Sequence, residues 1–370
     1  MADLTSDLPS YSITISYDLP DYFSIIDAPT MANIFLTGAT GYIGGTVLSL
    51  LVESHPKYSI RALVRDEAKG KLITDAFKNV EVVIGDLDSA DVLAGEVSKA
   101  DVVVHLAASG HLKSVETIHE AIASKPSTTH WIQISGASAL AAGELADESY
   151  VPGSASDLIF NDLAGISELH SFIRRYPSRA VDNYVLDVAA GEAKANTALV
   201  LPPIIYGKGT GPGNKRSVQI PSLASVTLRR GRGLQVGEGL SRWGNVHVKD
   251  VARLFVRLVE KAVEGNGEKH AWNDNGVYLA GVGELSFGEI SKLVVSAALE
   301  KGLISSGDVD VIGAKEADSL LPYGTVLFGT NARGEALRAK EVLGWTPTEE
   351  RLQDEIPKDV EREVSVARRL

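Results

Sequence analysis

Residues 32–45 read ANIFLTGATGYIGG, a short apolar run that closes on Thr37 and passes at once into glycines at 38, 41 and 44. The run has strand composition. After the glycines, Ile43, Val47, Leu48, Leu50 and Leu51 recur at helical spacing, so the glycines fall on a strand-to-helix turn. Such a turn lets the backbone N–H groups of a helix N-terminus approach a diphosphate without side-chain obstruction, and the helix dipole favours the negative charge. The spacing alone is weak, and its context makes it a dinucleotide-binding signature over Thr37, Gly38, Thr40, Gly41, Tyr42, Ile43 and Gly44. The alternative reading is a glycine turn that only packs a strand on a helix.

Outward from this segment the chain alternates apolar strands with helical stretches. The strands are expected at Ser59 to Val64, Val80 to Ile84, Asp101 to Leu106, Trp131 to Ser135 and Ala198 to Leu201. Runs buried on both faces and separated by helices indicate a parallel sheet covered on either side. The fold class is therefore α/β, a Rossmann-type doubly wound parallel sheet with a smaller C-terminal substrate lobe. The expected organisation is an extension over 1–30, a dinucleotide-binding domain over 31–206, and a substrate lobe over 207–370 with segments returning to the core. The second strand runs into Arg65 and Asp66, where such folds choose between a ribose hydroxyl and a ribose 2′-phosphate. Arg65 points to NADP, since a guanidinium pairs with the extra phosphate, while Asp66 keeps NAD open.

Composition narrows the function classes. The 370 residues carry a formal net charge of −12, with 44% hydrophobic residues and no cysteine. The missing sulfur excludes disulfides, thiolate nucleophiles and cysteine-held zinc or iron–sulfur centres. An acidic balance opposes tracking of nucleic acid or an anionic lipid surface. No apolar run approaches the roughly 20 residues that cross a bilayer, so no membrane span is expected. The first Lys or Arg is Lys57, which opposes a secretory or mitochondrial leader and makes the cytoplasm the default location. Residues 1–30 are expected to be loosely ordered, with residues 11–17 (YSITISY) as a candidate edge strand. The histidines and carboxylates show no metal-ligand spacing, so no metal is expected.

Several separated motifs resemble the extended, or atypical, short-chain dehydrogenase/reductase superfamily, which includes NAD-dependent epimerases and dehydratases and NmrA-like proteins. TGATGYIGG at 37–45 is similar to the family's cofactor loop, and Gly85-Asp86-Leu87 to the turn that meets the adenine. VVVHLAAS at 102–109 resembles the fourth strand with its cofactor-side loop, which implies cofactor roles for Leu106, Ala107 and Ala108. LPPIIYGKG at 201–209 resembles an R-P-x-x-V-Y-G segment, with Leu201 in place of arginine, and implies roles for Pro202 and Ile204. WGNVHVKDVARL at 243–254 and VLGWTP at 342–347 extend the resemblance almost to the C-terminus, and the whole looks closest to fungal-type NAD(P)-binding proteins. A homodimer is implied by the same resemblance.

The catalytic segment departs from that pattern. The family's Tyr-x-x-x-Lys pair shares one helix face, where the ammonium lowers the phenol's pKa. No tyrosine in this chain has a lysine four residues later. The helix that should carry the pair is expected at Ser178 to Ala190, capped by Ser178 and stopped by Gly191. Tyr176, three residues before Arg179, and Tyr184 are the candidate proton donors. Arginine favours a phenolate yet cannot relay a proton. Ser135 and Ser138 flank the place, at or beside Ala137, where relatives hold a substrate carbonyl, and the equal alternative is that either serine satisfies a strand-end backbone group.

Downstream, GKGTGPGNKRSVQIP at 207–221 is glycine-rich and basic. Lys215 and Arg216, with Arg229 and Arg230 behind them, predict capture of an anionic or oxygenated small-molecule substrate. Asp250 is expected to cap the helix after it and His247 to be structural, and further helices are expected around Glu289 to Lys301 and Asn331 to Leu343. The leading expectation is an NADP-preferring oxidoreductase acting on an aldehyde, ketone or alcohol. A non-catalytic NADP-sensing regulator and a nucleotide-sugar epimerase or dehydratase are the alternatives.

Overall fold

The computed structural model describes residues 31–191, 194–265 and 269–367. The expectations placed on residues 1–30 lie outside them. From the first described residue the chain lays down β1 (Asn33–Thr37), α1 (Tyr42–Ser54), β2 (Ser59–Val64), α2 (Glu67–Ala76), β3 (Val80–Ile84), α3 (Ala90–Val97), β4 (Val102–His105), α4 (Leu112–Ala123) and β5 (Thr129–Ile134). It continues through α5 (Ala142–Ala146), β6 (Phe160–Asn161), α6 (Ile166–Arg174) and α7 (Ala180–Gly191) to β7 (Ala195–Leu201) and β8 (Ile204–Tyr206). The remainder comprises α8 (Gln219–Arg230), β9 (Gly233–Val236), β10 (Arg242–His247), α9 (Val248–Glu264), β11 (Val277–Leu279), β12 (Gly283–Ser286), α10 (Phe287–Glu300) and β13 (Val309–Ile312). It closes with α11 (Ala314–Leu320), α12 (Gly324–Gly329), β14 (Gly334–Glu335), α13 (Arg338–Leu343) and α14 (Leu352–Ala367).

Seven parallel strands form the main sheet in the order β11-β7-β5-β4-β1-β2-β3. Alternate residues of each strand enter opposite cores, because successive side chains point to opposite faces. Phe35, Val103 and Trp131 belong to one core, and Ile34, Leu36, Val104 and Ile132 to the other. Helices α1 and α9 pack together on the second face, and α3, α4 and α7 form a continuous layer. The chain leaves β1 in one direction through β2 and β3, and returns on the other side through β4. The C-terminal ends of β1 and β4, where Thr37 stands opposite His105, therefore form the switch point at which open α/β sheets bind ligands.

The later elements build small sheets, β8-β10-β12 and β9-β13, while β11 returns to the edge of the main sheet. Three local expectations are corrected. The segment from Asn331 does not begin a helix: Asn331 ties its N–H and Nδ2 to Glu144, Ala332 bridges Trp243, and helix α13 starts only at Arg338. The helix expected from Ser178 starts at Ala180, after a single 3₁₀ turn over Pro177–Arg179. Asp250 is not a cap. His247 caps α9 by accepting from Lys249 N, and buried Asp250 instead receives the N–H groups of Thr348 and Glu349 and pairs with Arg253.

Two imidazoles inside this frame are held neutral by burial, His105 at about 3 and His130 at about 4. The unfolded chain binds protons at these sites from about pH 6.5 downward and the folded chain does not, so stability falls as pH falls below that point. The expected slope is about 1.4 kcal/mol per pH unit for each histidine between their unfolded and folded pKa values. Urea titrations at pH 7 and 5 should show this loss, and His130→Asn should reduce it; an unchanged slope in the variant refutes the assignment.

Candidate functional site: a dinucleotide cleft

The switch point is organised by one hydroxyl. Thr37 Oγ1 accepts from Leu106 N (3.1 Å) and Ala107 N (3.3 Å) and lies 2.8 Å from Nδ1 of fully buried His105. With its lone pairs engaged, the threonine donates its own proton to Nδ1, which places the imidazole proton on Nε2. That proton meets Ser114 Oγ at 3.3 Å, and Ser114 in turn donates to His111 O. The loop after β4 is thereby held against β1, with Ala108 at φ +38°, a conformation that costs a non-glycine residue energy.

Glycine makes the rest of the floor. Gly38 has φ +78°, and a Cβ there would sit 2.7 Å from Leu106 O. A Cβ on Gly44 would meet Gly38 O at 2.2 Å. Gly41 N donates to Gly38 O and α1 begins without a side-chain cap, leaving the N–H groups of Tyr42, Ile43 and Gly44 without intrahelical partners. These atoms border two adjoining cavities, one of about 740 Å³ and one of about 310 Å³, that share Gly41 and Leu106 as walls.

The larger cavity is walled by Thr37, Gly38, Thr40, Gly41, Arg65, Asp86, Leu87, Leu106, Ala107 and Ala108, all expected from sequence. Tyr42, Ile43 and Gly44 border the smaller one. Pro202 and Ile204 do not line either: strand alternation sends them into the core and turns Pro203 and Ile205 toward the smaller cavity. Asp86 closes its own turn by accepting from Ser89 Oγ and Asp88 N, and these bonds, the serine's first, hold its carboxyl below the usual range.

Sequence reasoning missed Lys69, which reaches the same cavity as Arg65 from the first turn of α2. Neither side chain has a hydrogen bond or ion pair among the described residues. Asp66, the competing carboxylate, is occupied as the N-cap of α2 and accepts from Lys69 N at 2.8 Å. The spacing of four from Arg65 to Lys69 was available in the sequence, but only the start of α2 at Glu67 shows that both face the cavity.

The glycine-rich stretch after Tyr206 forms a strap over this cleft. Tyr42 Oη donates to Tyr206 O and Gly207 O, Asn214 N to Thr40 O, and Thr210 N to Thr46 Oγ1. Cβ atoms on Gly211 and Gly213 would clash with Gly45 at 2.5 Å and with Thr40 O at 2.2 Å. Pro212, Gly213 and Asn214 consequently wall the larger cavity. Arg216, expected at a substrate anion, is closed on buried Glu363 of α14 by two bonds of 2.7 and 3.0 Å. Lys215 is exposed on the strap. Arg229 bonds Ser225, and Arg230 pairs with Asp310 and Glu316.

At the end of β5, Arg179 gathers the two candidate serines. It donates to Ser135 Oγ (3.2 Å) and Ser138 Oγ (3.3 Å), and its other face is held by buried Asp182 at 2.6–2.7 Å. Tyr176 and Tyr184 are not brought together. The Tyr184 hydroxyl bonds His119 Nδ1 at 2.8 Å, and burial, with Glu116 and Glu120, raises its pKa, the opposite of what proton transfer needs. Tyr176 instead borders a separate chamber of about 300 Å³, with its hydroxyl over Gly143.

Residues 30–133 match the NmrA-like family. Over 340 residues, 90% of this chain and 97% of the relative, the sequence is 33% identical to Oxidase ucsJ of an Acremonium species. The chain belongs to the extended short-chain dehydrogenase/reductase superfamily. Solved structures of that superfamily share its fold. A dTDP-glucose 4,6-dehydratase from Bacillus anthracis, in complex with NAD, superposes with TM-score 0.63 at 16% identity, covering 90% of this chain and 97% of that one. A UDP-glucuronic acid 4-epimerase from Bacillus cereus, in complex with UDP-glucuronic acid and NAD, gives TM-score 0.60 at 16% identity, with 90% and 99% covered. Among the described residues of this superfamily member, no helix is long and apolar enough to cross a membrane.

Thr37→Val keeps the shape and removes the hydroxyl, leaving Leu106 N and His105 Nδ1 without their partner. The expected cost is about 1–3 kcal/mol of unfolding free energy, read by urea denaturation at pH 7. A change within error would mean that the hydroxyl does not organise the switch point.

Proposed function

We propose that the protein is an NADP(H)-dependent oxidoreductase that interconverts a carbonyl compound and its alcohol. The observation that carries this reading is the pair of cations, Arg65 and Lys69, on the cleft wall, neither partnered among the described residues, with the neighbouring Asp66 serving as a helix cap. A 2′-phosphate fits between a guanidinium and an ammonium, whereas Asp66, the carboxylate that would accept from a free ribose hydroxyl pair, does not border the cavity. The diphosphate fits the Cβ-free cradle of Gly38, Gly41 and Gly44 and the open N–H groups of α1. When bound, the dinucleotide supplies the hydride.

The protein's own part is to orient and polarise the substrate oxygen. Ser135 and Ser138 each accept from Arg179, so their O–H groups remain available to donate, and the adjoining positive charge strengthens them as donors. Asp182 fixes the guanidinium so that this arrangement exists before substrate arrives. Tyr176 is the proton donor of this reading, because its hydroxyl faces a chamber while that of Tyr184 is tied to His119. The name of the Acremonium relative, an oxidase, supports redox chemistry.

The NmrA-like match and the absent Tyr-x-x-x-Lys pair favour a second reading, a dinucleotide sensor without turnover. Titration of the cofactor-free protein, followed by nicotinamide fluorescence, should show NADPH binding more tightly than NADH. Arg65→Ala and Lys69→Ala should each weaken NADPH roughly tenfold or more and leave NADH unchanged. Equal affinity for both dinucleotides would remove the NADP reading, and binding of neither would remove the oxidoreductase. Consumption of NADPH with 9,10-phenanthrenequinone, reduced in Arg179→Ala, separates the enzyme from the sensor.

A further inference from the structure

The chamber beside Tyr176 is formed where α5, the 147–158 loop, the end of α6 and the segment 331–333 before β14 meet. At about 300 Å³ it lies at the small end of ligand sites. Leu140 is shared between it and a constriction of about 10 Å³, whose wall also includes Pro203, and Pro203 borders the smaller dinucleotide cavity. The chamber thus lies next to the cleft along a wall of small and apolar residues.

Its charges are already satisfied from within. Arg333, the one cation on the wall, makes two bonds to Glu284 and a third to Ser156 O. Glu144 receives the N–H and Nδ2 of Asn331, and Asp147 receives the N–H and hydroxyl of Ser149. Tyr150 donates to Gly329 O, and burial, with the Glu144 carboxylate beside it, pushes its pKa well above the ordinary phenol value. Tyr176 differs: its hydroxyl makes no hydrogen bond among the described residues and lies so close over Gly143 that a Cβ there would be 2.9 Å away. Around it stand Phe172, whose ring centroid is 5.1 Å from that of Tyr176, and the apolar side chains of Leu140 and Leu158.

We infer that this chamber is the substrate site and takes an uncharged molecule with an apolar, ring-sized body and one hydroxyl or carbonyl oxygen that bonds to Tyr176. The inference rests on the oxidoreductase reading and specifies its substrate class. A diphosphate in the chamber would stand beside Glu144 and Asp147 with no unpaired cation on the wall to offset the loss of its hydration, which is strongly unfavourable. An aromatic or alicyclic body instead covers Phe172, Leu140 and Leu158, and its single oxygen satisfies the open Tyr176 hydroxyl. The chamber is therefore unsuited to the nucleotide sugars bound by several proteins of similar fold.

The test is saturation-transfer-difference NMR on the full chain with NADPH present, using benzyl alcohol in one sample and UDP-glucose in another. Benzyl alcohol should give a saturation signal that falls in Tyr176→Phe and is lost in Gly143→Leu, and UDP-glucose should give none. Leu158→Trp, which fills the chamber from its exposed side, repeats the loss should Gly143→Leu fail to fold. A UDP-glucose signal, absence of a benzyl alcohol signal, or a benzyl alcohol signal unaltered by the filling variants would each overturn the inference. NADPH fluorescence on the same samples separates the two claims: failure of the dinucleotide to bind defeats the oxidoreductase reading, whereas NADPH binding without benzyl alcohol defeats only the substrate class.

Discussion

Three stretches of backbone meet at the first turn of α1 with no room for a Cβ between them. Gly44 lies against Gly38 O, Gly38 against Leu106 O, and Gly211 and Gly213 against Gly45 and Thr40. Each contact is closer than a side chain would permit. Together they bring the ends of β1 and β4 and the strap after β8 to one point. The cleft exists because these segments approach so closely, and the open N–H groups of α1 face into it because no side chain intervenes. The Thr37 hydroxyl, engaged with Leu106, Ala107 and His105, holds the same junction from the sheet side.

Electrostatics act on that geometry locally. The chain as a whole is acidic, with a formal charge of −12. Most arginines beyond the main sheet are closed on carboxylates, as Arg216 is on Glu363, Arg232 on Asp308 and Arg333 on Glu284. Arg65 and Lys69 stand apart because they are open to the cleft. Arg179 is a third case: its charge is balanced by Asp182, and its remaining N–H groups are directed at two serines. In the reaction proposed above, this guanidinium strengthens the two serine hydroxyls as donors, in a chain without a Tyr-x-x-x-Lys pair.

The sheet was largely legible because strands buried on both faces leave an uninterrupted apolar record. The second and third strands begin and end where the sequence predicts, at Ser59–Val64 and Val80–Ile84. The glycine turn was legible because Gly41 and Gly44 close on Gly38 O within the turn itself, although the contact of Gly38 with Leu106 O is long-range. What was not legible depends on long-range partners. Arg216 reads as a substrate-binding cation until Glu363, 147 residues later, occupies it. Asn331 reads as helical until Glu144 accepts from its backbone N–H and its Nδ2. Pro202 and Pro203 are distinguished only by which face of the extended segment points into the cleft. Tyr184 reads as a candidate proton donor until His119, 65 residues earlier, engages its hydroxyl.

A cradle without side chains, flanked by two cations that are unpaired among the described residues, is the proposed seat of a phosphorylated dinucleotide. A crystal structure of the full chain grown with NADPH tests this most directly. The diphosphate is expected on the N–H groups of Tyr42, Ile43 and Gly44, and the 2′-phosphate between Arg65 and Lys69. An adenosine end lying away from Arg65 and Lys69, or a cleft in which the strap leaves no space for the diphosphate, would contradict it.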